Sequence, residues 1–121
     1  MSSPLRIATI VLGAFFALQG IVWLALPARA AEGLGMPLLD GVARSTQVGD
    51  FAAFFLVVGA TMLAGARPGA SRLLLVPAGA LSAAALGRGI AWAFHGAAFA
   101  ATFIAIEVAV ALLLVAASRS E

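Results

Sequence analysis

The chain has no cysteine, which excludes disulfides, thiol catalysis and thiolate metal sites. It has one histidine, too few for a histidine-built metal cluster, so neither a metal nor a cofactor is expected. Lysine is absent as well. The basic residues are arginines at 6, 29, 44, 67, 72, 88 and 119, scattered along the chain, and no basic patch exists for nucleic acid. The scarcest commodity is charge. Only 10% of the 121 residues are charged and 64% are hydrophobic, against about 25% charged and 45–50% apolar in a soluble domain. A water-facing surface cannot be assembled from so few charges, so the chain reads as an all-α integral membrane protein forming one domain.

What is present sets the spans. A membrane-crossing helix needs about 20 apolar residues. Residues 7–28 carry no charge, and Pro27 closes a first span over about 5–26. Its apolar core exceeds the 7–15 residues usual for a signal peptide, so it reads as a retained helix despite an Ala-Arg-Ala sequence at 28–30. A second span reaches full length only as 43–65, which puts Asp50 inside it. Residues 73–118 contain just Arg88 and Glu107 as charges and divide at Phe94-His95-Gly96 into spans 72–94 and 97–117, with Pro77 expected to kink the first of these. The 27–42 loop reads as one or two turns of interfacial helix, ended by Gly33 or Gly35 ahead of Pro37. The fold expected is therefore a four-transmembrane-helix bundle.

Arginine placement orients it. Arg6, Arg67, Arg72 and Arg119 fall at one end, and Arg29 and Arg44 at the other. The positive-inside rule then puts both termini in the cytoplasm. Thirty alanines and arginine in place of lysine fit a GC-rich bacterial genome, hence a bacterial inner membrane. A short internal match, Gln19-Gly20-Ile21-Val22-Trp23 with Arg88-Gly89-Ile90-Ala91-Trp92, suggests two parallel helical-hairpin repeats. Each half then has one carboxylate in its second helix, Asp50 or Glu107.

The polar residues inside the spans are the candidate site. At a rise of about 1.5 Å per residue, Gln19 lies about 10 Å, Asp50 and Arg88 about 9 Å and Glu107 about 15 Å from the outer ends of their spans. Intramembrane charges face inward and are functional candidates by default. We take Asp50, Arg88 and Glu107 as candidate catalytic residues, with Gln19, Gln47, Trp23 and Trp92 as candidate ligand contacts. Two readings of the cluster stand side by side. One is a buried network that fixes helix register. The other is a pocket for a lipophilic small molecule, in which two acids flanking an arginine do acid–base work such as isomerisation, epoxide opening or cyclisation. The phenylalanines at 15, 16, 51, 54, 55 and 103 read as lipid-facing or packing residues, and His95 as an interfacial loop residue.

Taken whole, the layout resembles the DoxX-like group of small bacterial four-helix membrane proteins. The resemblance rests on Gly33-Leu34-Gly35-Met36-Pro37 at the end of an Ala/Arg-rich loop, the polar stretch 44–50, Gly87-Arg88 late in span three and Glu107 in span four. It implies the fold and, for some members, association with respiratory or sulfur redox complexes; a chain without cysteine departs from any thiol-based role. Two further expectations follow from the layout. Minimal loops suit an accessory or scaffold subunit, and a small-residue face suits a homodimer or larger membrane complex. A small proton-coupled exporter shares the length, helix number and an intramembrane glutamate, but in such exporters the acid is on the first helix.

Overall fold

A computed structural model describes residues 1–120. It contains helices α1 (Ser3–Ala25), α2 (Pro27–Gly33), α3 (Gly41–Gly65), α4 (Leu75–Phe94) and α5 (Ala101–Ser118), with a 3₁₀ turn over Ser71–Leu74 leading into α4. There is no strand among the described residues. The structure is the expected all-α, four-span bundle, with α2 as a short extra helix between the first two spans. Four stretches are long and apolar enough to cross a membrane, and no more than 33% of the most apolar window of any of them is buried. Large apolar side chains are exposed on all four long helices, among them Ile7, Val11, Leu18 and Ile21 of α1, Val57 of α3, Leu86 of α4 and Leu112 of α5. Such a surface is suited to a lipid surround, because exposed apolar area is unfavourable in water, while helices pair their interior backbone groups internally.

Local sequence explains the boundaries. The Ser2 hydroxyl accepts the Leu5 N–H at 3.3 Å and caps α1. Pro27 cannot continue α1 but is well suited to begin α2, where its missing N–H costs nothing. The end of α2 is a Schellman motif. Gly35 has φ 75°, its N–H bonds the Glu32 carbonyl, and the Met36 N–H bonds that of Ala31, each at 3.0 Å. Pro77 lies in the first turn of α4, directly after the 3₁₀ turn, where a proline is tolerated. The helix type changes just ahead of it, at the end of the span where the sequence placed a proline kink.

The fourth span departs from expectation. It starts at Ala101, not 97. Gly96 takes φ 68°, a conformation open to glycine without steric cost, and the Ala97 N–H folds back to the Ala91 carbonyl at 3.1 Å. Phe99 then packs on Trp92, ring centroids 5.2 Å apart, so residues 97–100 run along the end of α4 before α5 begins.

The helices pair as α1 with α3 and α4 with α5. The first pair is tight along its length. Gly13, Phe16, Gly20 and Trp23 of α1 are buried, as are Ala52, Phe55, Val58, Gly59 and Met62 of α3. A Cβ on Gly59 would stand 2.4 Å from the backbone nitrogen of Ala17, which is how close two backbones come when small residues meet. The second pair joins the first only at the end that carries the chain termini. There Leu74, leading into α4, fills the space over Gly65 of α3 and the Met1 amino group donates to the Ser120 carbonyl at 3.2 Å, while within the pairs the Ser71 hydroxyl donates to the Ser118 carbonyl at 3.2 Å and Arg6 Nε to the Ala66 carbonyl at 2.9 Å. Toward α2 the pairs part. The buried residues of α4 are Pro77, Ala78 and Leu81 and none beyond them, and α5 has none before Glu107. Added Cβ atoms at Gly87 and Gly89 meet nothing within 4 Å, so these two glycines make no close helix approach.

Candidate functional site

The parting of the two helix pairs leaves a cavity of about 370 Å³ on the α2 side, within the size range of small-molecule sites. Each long helix lines it with a stripe at helical spacing: Phe15, Phe16, Gln19 and Trp23 from α1; Asp50, Phe51, Phe54 and Phe55 from α3; Leu81, Ala84 and Arg88 from α4; Phe103, Ile106 and Glu107 from α5. Ala30, Gly33 and Leu34 of α2 and its C-terminal turn complete the wall. Residues three and four apart share a helix face, so Gln19 and Trp23, Ala84 and Arg88, and Phe103 and Glu107 are each brought to the cavity together.

Arg88 crosses from α4 to α5. Its Nε donates to Glu107 Oε1 at 2.9 Å, and the pair is largely withdrawn from the surface, the side chains being 31% and 11% exposed. The guanidinium carbon also lies 4.6 Å from the centre of the Phe103 ring, a cation–π contact that holds its plane against α5. The late start of α5 explains the pairing. Glu107 is six residues past Ala101 and Arg88 six before Phe94, so each is about 9 Å along its helix from the same end. The sequence count placed Glu107 about 15 Å deep because it began the span too early.

Asp50 lines the same cavity from α3 but is exposed to it and makes no ion pair with Arg88 among the described residues. The expected three-residue cluster is thus a bonded pair with a separate carboxylate. Gln19 is half-buried on the α1 wall. Trp23 is fully buried behind Phe51, the two rings stacked at 4.9 Å and 12°. Phe16 and Phe55 repeat that stacking deeper in the interface, about two turns on along α1 and one along α3, centroids 5.9 Å apart.

Gln47 and Trp92 lie outside the lining. Gln47 is buried, and its amide is spent on the 34–40 loop: Oε1 accepts the Leu39 N–H at 2.9 Å and Nε2 donates to the Pro37 carbonyl at 3.0 Å. It fastens the segment that follows α2, which forms part of the cavity wall. Replacing it with leucine leaves both backbone groups without their buried partner, each worth about 1–3 kcal/mol. Hydrogen exchange at the Leu39 amide should then accelerate at least tenfold in Gln47→Leu while exchange in the α1–α3 core stays unchanged; equal protection in both proteins would show that the loop does not depend on Gln47. Trp92 is exposed and engaged with Phe99.

The phenylalanines of the wall were missed from sequence as site residues. Their signal was present in the spacing, since Phe15/Phe16 precede Gln19, Phe54 follows Asp50 and Phe103 precedes Glu107 by three or four residues each. Among the described residues no group of three or more His, Cys, Asp or Glu side chains is placed to hold a metal ion. Comparison with known proteins gives no matching family model, no matching curated relative and no matching solved structure.

Proposed function

We propose that the cleft binds a lipophilic small molecule inside the bilayer and that Asp50, Arg88 and Glu107 carry out acid–base chemistry on it. The observation that carries this reading is the cavity itself, in which an Arg88–Glu107 pair, an Asp50 carboxylate with no bonded donor among the described residues and Gln19 converge on aromatic walls. A residue network serving only to fix register would be packed over by neighbouring side chains, whereas this one borders open volume. In the proposed chemistry Asp50 removes a proton from the bound molecule, Arg88 steadies the negative charge that develops, and Glu107, entering the cycle protonated and hydrogen-bonded to Arg88, gives its proton at a second position; the proton on Asp50 returns to Glu107 through solvent before the next turnover. Isomerisation, epoxide opening and cyclisation can each use such a set.

The protein proposed is a DoxX-like member of a bacterial inner membrane, with Arg6, Arg67, Arg72 and Arg119 and both termini in the cytoplasm and α2 on the opposite side. The chemistry then takes place in the leaflet away from the cytoplasm. The test is extraction in native-lipid particles followed by mass spectrometry of the organic extract. The wild type should retain one compound at near-stoichiometric amounts, and Ala84→Phe, which fills the cavity, should lose it. Identical extracts from the two proteins would contradict the reading.

A further inference from the structure

We infer that the molecule this cleft takes is an uncharged amphiphile with a hydroxyl-bearing head, which reaches the site sideways from the bilayer and binds with its head against Arg88 and Asp50. The inference rests on the reading of the cleft as a binding site and adds the ligand's chemistry and its route.

The head follows from the hydrogen bonds left open. Only Nε of Arg88 is bonded to Glu107, and the two terminal nitrogens have no hydrogen-bond partner among the described residues. An arginine in this setting calls for an acceptor. Asp50, on the facing wall, has no donor bonded to it among the described residues and calls for one when ionised. Gln19 offers both. A hydroxyl is the smallest group that accepts and donates at once. A carboxylate head would satisfy Arg88 but would meet two acids already in the cleft. An ammonium head would satisfy Asp50 but leave the guanidinium facing a second cation.

The route follows from exposure. Phe15 on α1 and Ile106 on α5 both line the cavity and are 54% and 51% exposed, and α1 and α5 touch only sparingly. Phe15 is ten residues from the end of α1, about 15 Å into the span, and Ile106 is five residues into α5, about 7–8 Å. Surface at those depths of a hydrocarbon core about 30 Å thick faces acyl chains, not water. The opening is therefore apolar on both edges and delivers lipid-dissolved molecules, while the polar groups wait at the inner wall. A tail left in the α1–α5 gap stays in lipid and needs no further cavity.

Trp23 is a built-in reporter, because it stacks behind Phe51 in the wall and Trp92→Phe leaves it the sole tryptophan. Trp92→Phe protein in phosphatidylcholine vesicles is titrated with a long-chain alcohol and with the acid and amine of the same chain, each brominated either beside the head or at the tail end. The head-brominated alcohol should quench Trp23 saturably and several-fold more than the tail-brominated one, with the acid and amine no better than non-specific bulk quenching. Adding Arg88→Gln, or Asp50→Asn at the exposed carboxylate, should weaken the alcohol about ten- to a hundredfold, as for a lost hydrogen bond to a charged group. Tighter binding of the acid or the amine overturns the uncharged head, and stronger quenching from the tail bromine overturns the orientation. If no amphiphile saturates while a compound still co-extracts with wild type and not with Ala84→Phe, the inference fails and the cleft reading stands. If both fail, both readings fall.

Discussion

Gly59→Ala is expected to destabilise the protein by about 1–3 kcal/mol, the usual cost of forcing a methyl into a closed contact, and Gly59→Leu to prevent assembly of the bundle. The added Cβ of alanine would lie 2.4 Å from Ala17 N, 2.7 Å from Ala17 Cα and 2.7 Å from the Gly13 carbonyl oxygen. All three are helix backbone, so relief requires moving α1 away from α3 as a unit. That movement would unstack Trp23 from Phe51 and Phe16 from Phe55, which span the same interface, and so open the wall of the cleft. Gly87→Ala is the matched control. Nothing lies within 4 Å of its Cβ position, and alanine is favoured over glycine in a helix by about 0.5–1 kcal/mol. Unfolding in mixed micelles should rank Gly59→Ala below wild type and Gly87→Ala level with or above it. Equal stability of Gly59→Ala and wild type would mean that α1 and α3 are farther apart than the structure has them.

The second large effect is expected at the Arg88–Glu107 pair, and it separates stability from chemistry. Removing one partner of a fully buried ion pair costs about 3–5 kcal/mol, while replacing both by apolar residues is often neutral or stabilising. This pair keeps some exposure, so the single variants should cost nearer the 1.5–3 kcal/mol of a hydrogen bond to a charged group. Glu107→Leu should be the worse of the two. It strands a guanidinium that cannot shed its charge and keeps the Phe103 ring against it. The double variant Arg88→Leu/Glu107→Leu should regain most of the wild-type stability and nonetheless retain no bound molecule and no turnover. Loss of general acid–base assistance alone lowers rates by about 10²–10⁴-fold. A double variant that is stable and still binds or turns over the co-purified compound would assign the pair to helix register and nothing more.

How much of this could be read from the chain varies with the kind of signal. The four spans were legible because charge is excluded from the hydrocarbon core, so gaps between arginines and carboxylates mark helix lengths. The end of α2 was legible to within the choice of Gly33 or Gly35, since a Schellman turn takes a left-handed residue and Gly35 supplied it. The start of α5 was not. Residues 97–100 are as apolar as the helix that follows, and only the three-dimensional packing of Phe99 on Trp92 reveals that they run outside it. That shift of one helical turn also decided which acid pairs with Arg88. Gln47 illustrates a different limit. It is three residues from Asp50 and nearly on its face, yet the backbone groups of Leu39 and Pro37 claim its amide, and a sequence gives no account of which buried backbone groups will lack partners. The phenylalanine walls were hidden for a third reason: an aromatic ring facing lipid and one facing an internal cleft obey the same hydrophobic pattern.

The proposed function requires that the α2 side of the bundle hold a ligand between two helix pairs that do not close on each other. The most direct test is an experimental structure determined in native lipid. It should show the pairs parted as described, Arg88 Nε on Glu107, and elongated non-protein density that touches the terminal nitrogens of Arg88 and leaves between Phe15 and Ile106. A structure in which α4 and α5 close onto α1 and α3 along their whole length, with side chains filling the space between Trp23 and Arg88, would contradict it.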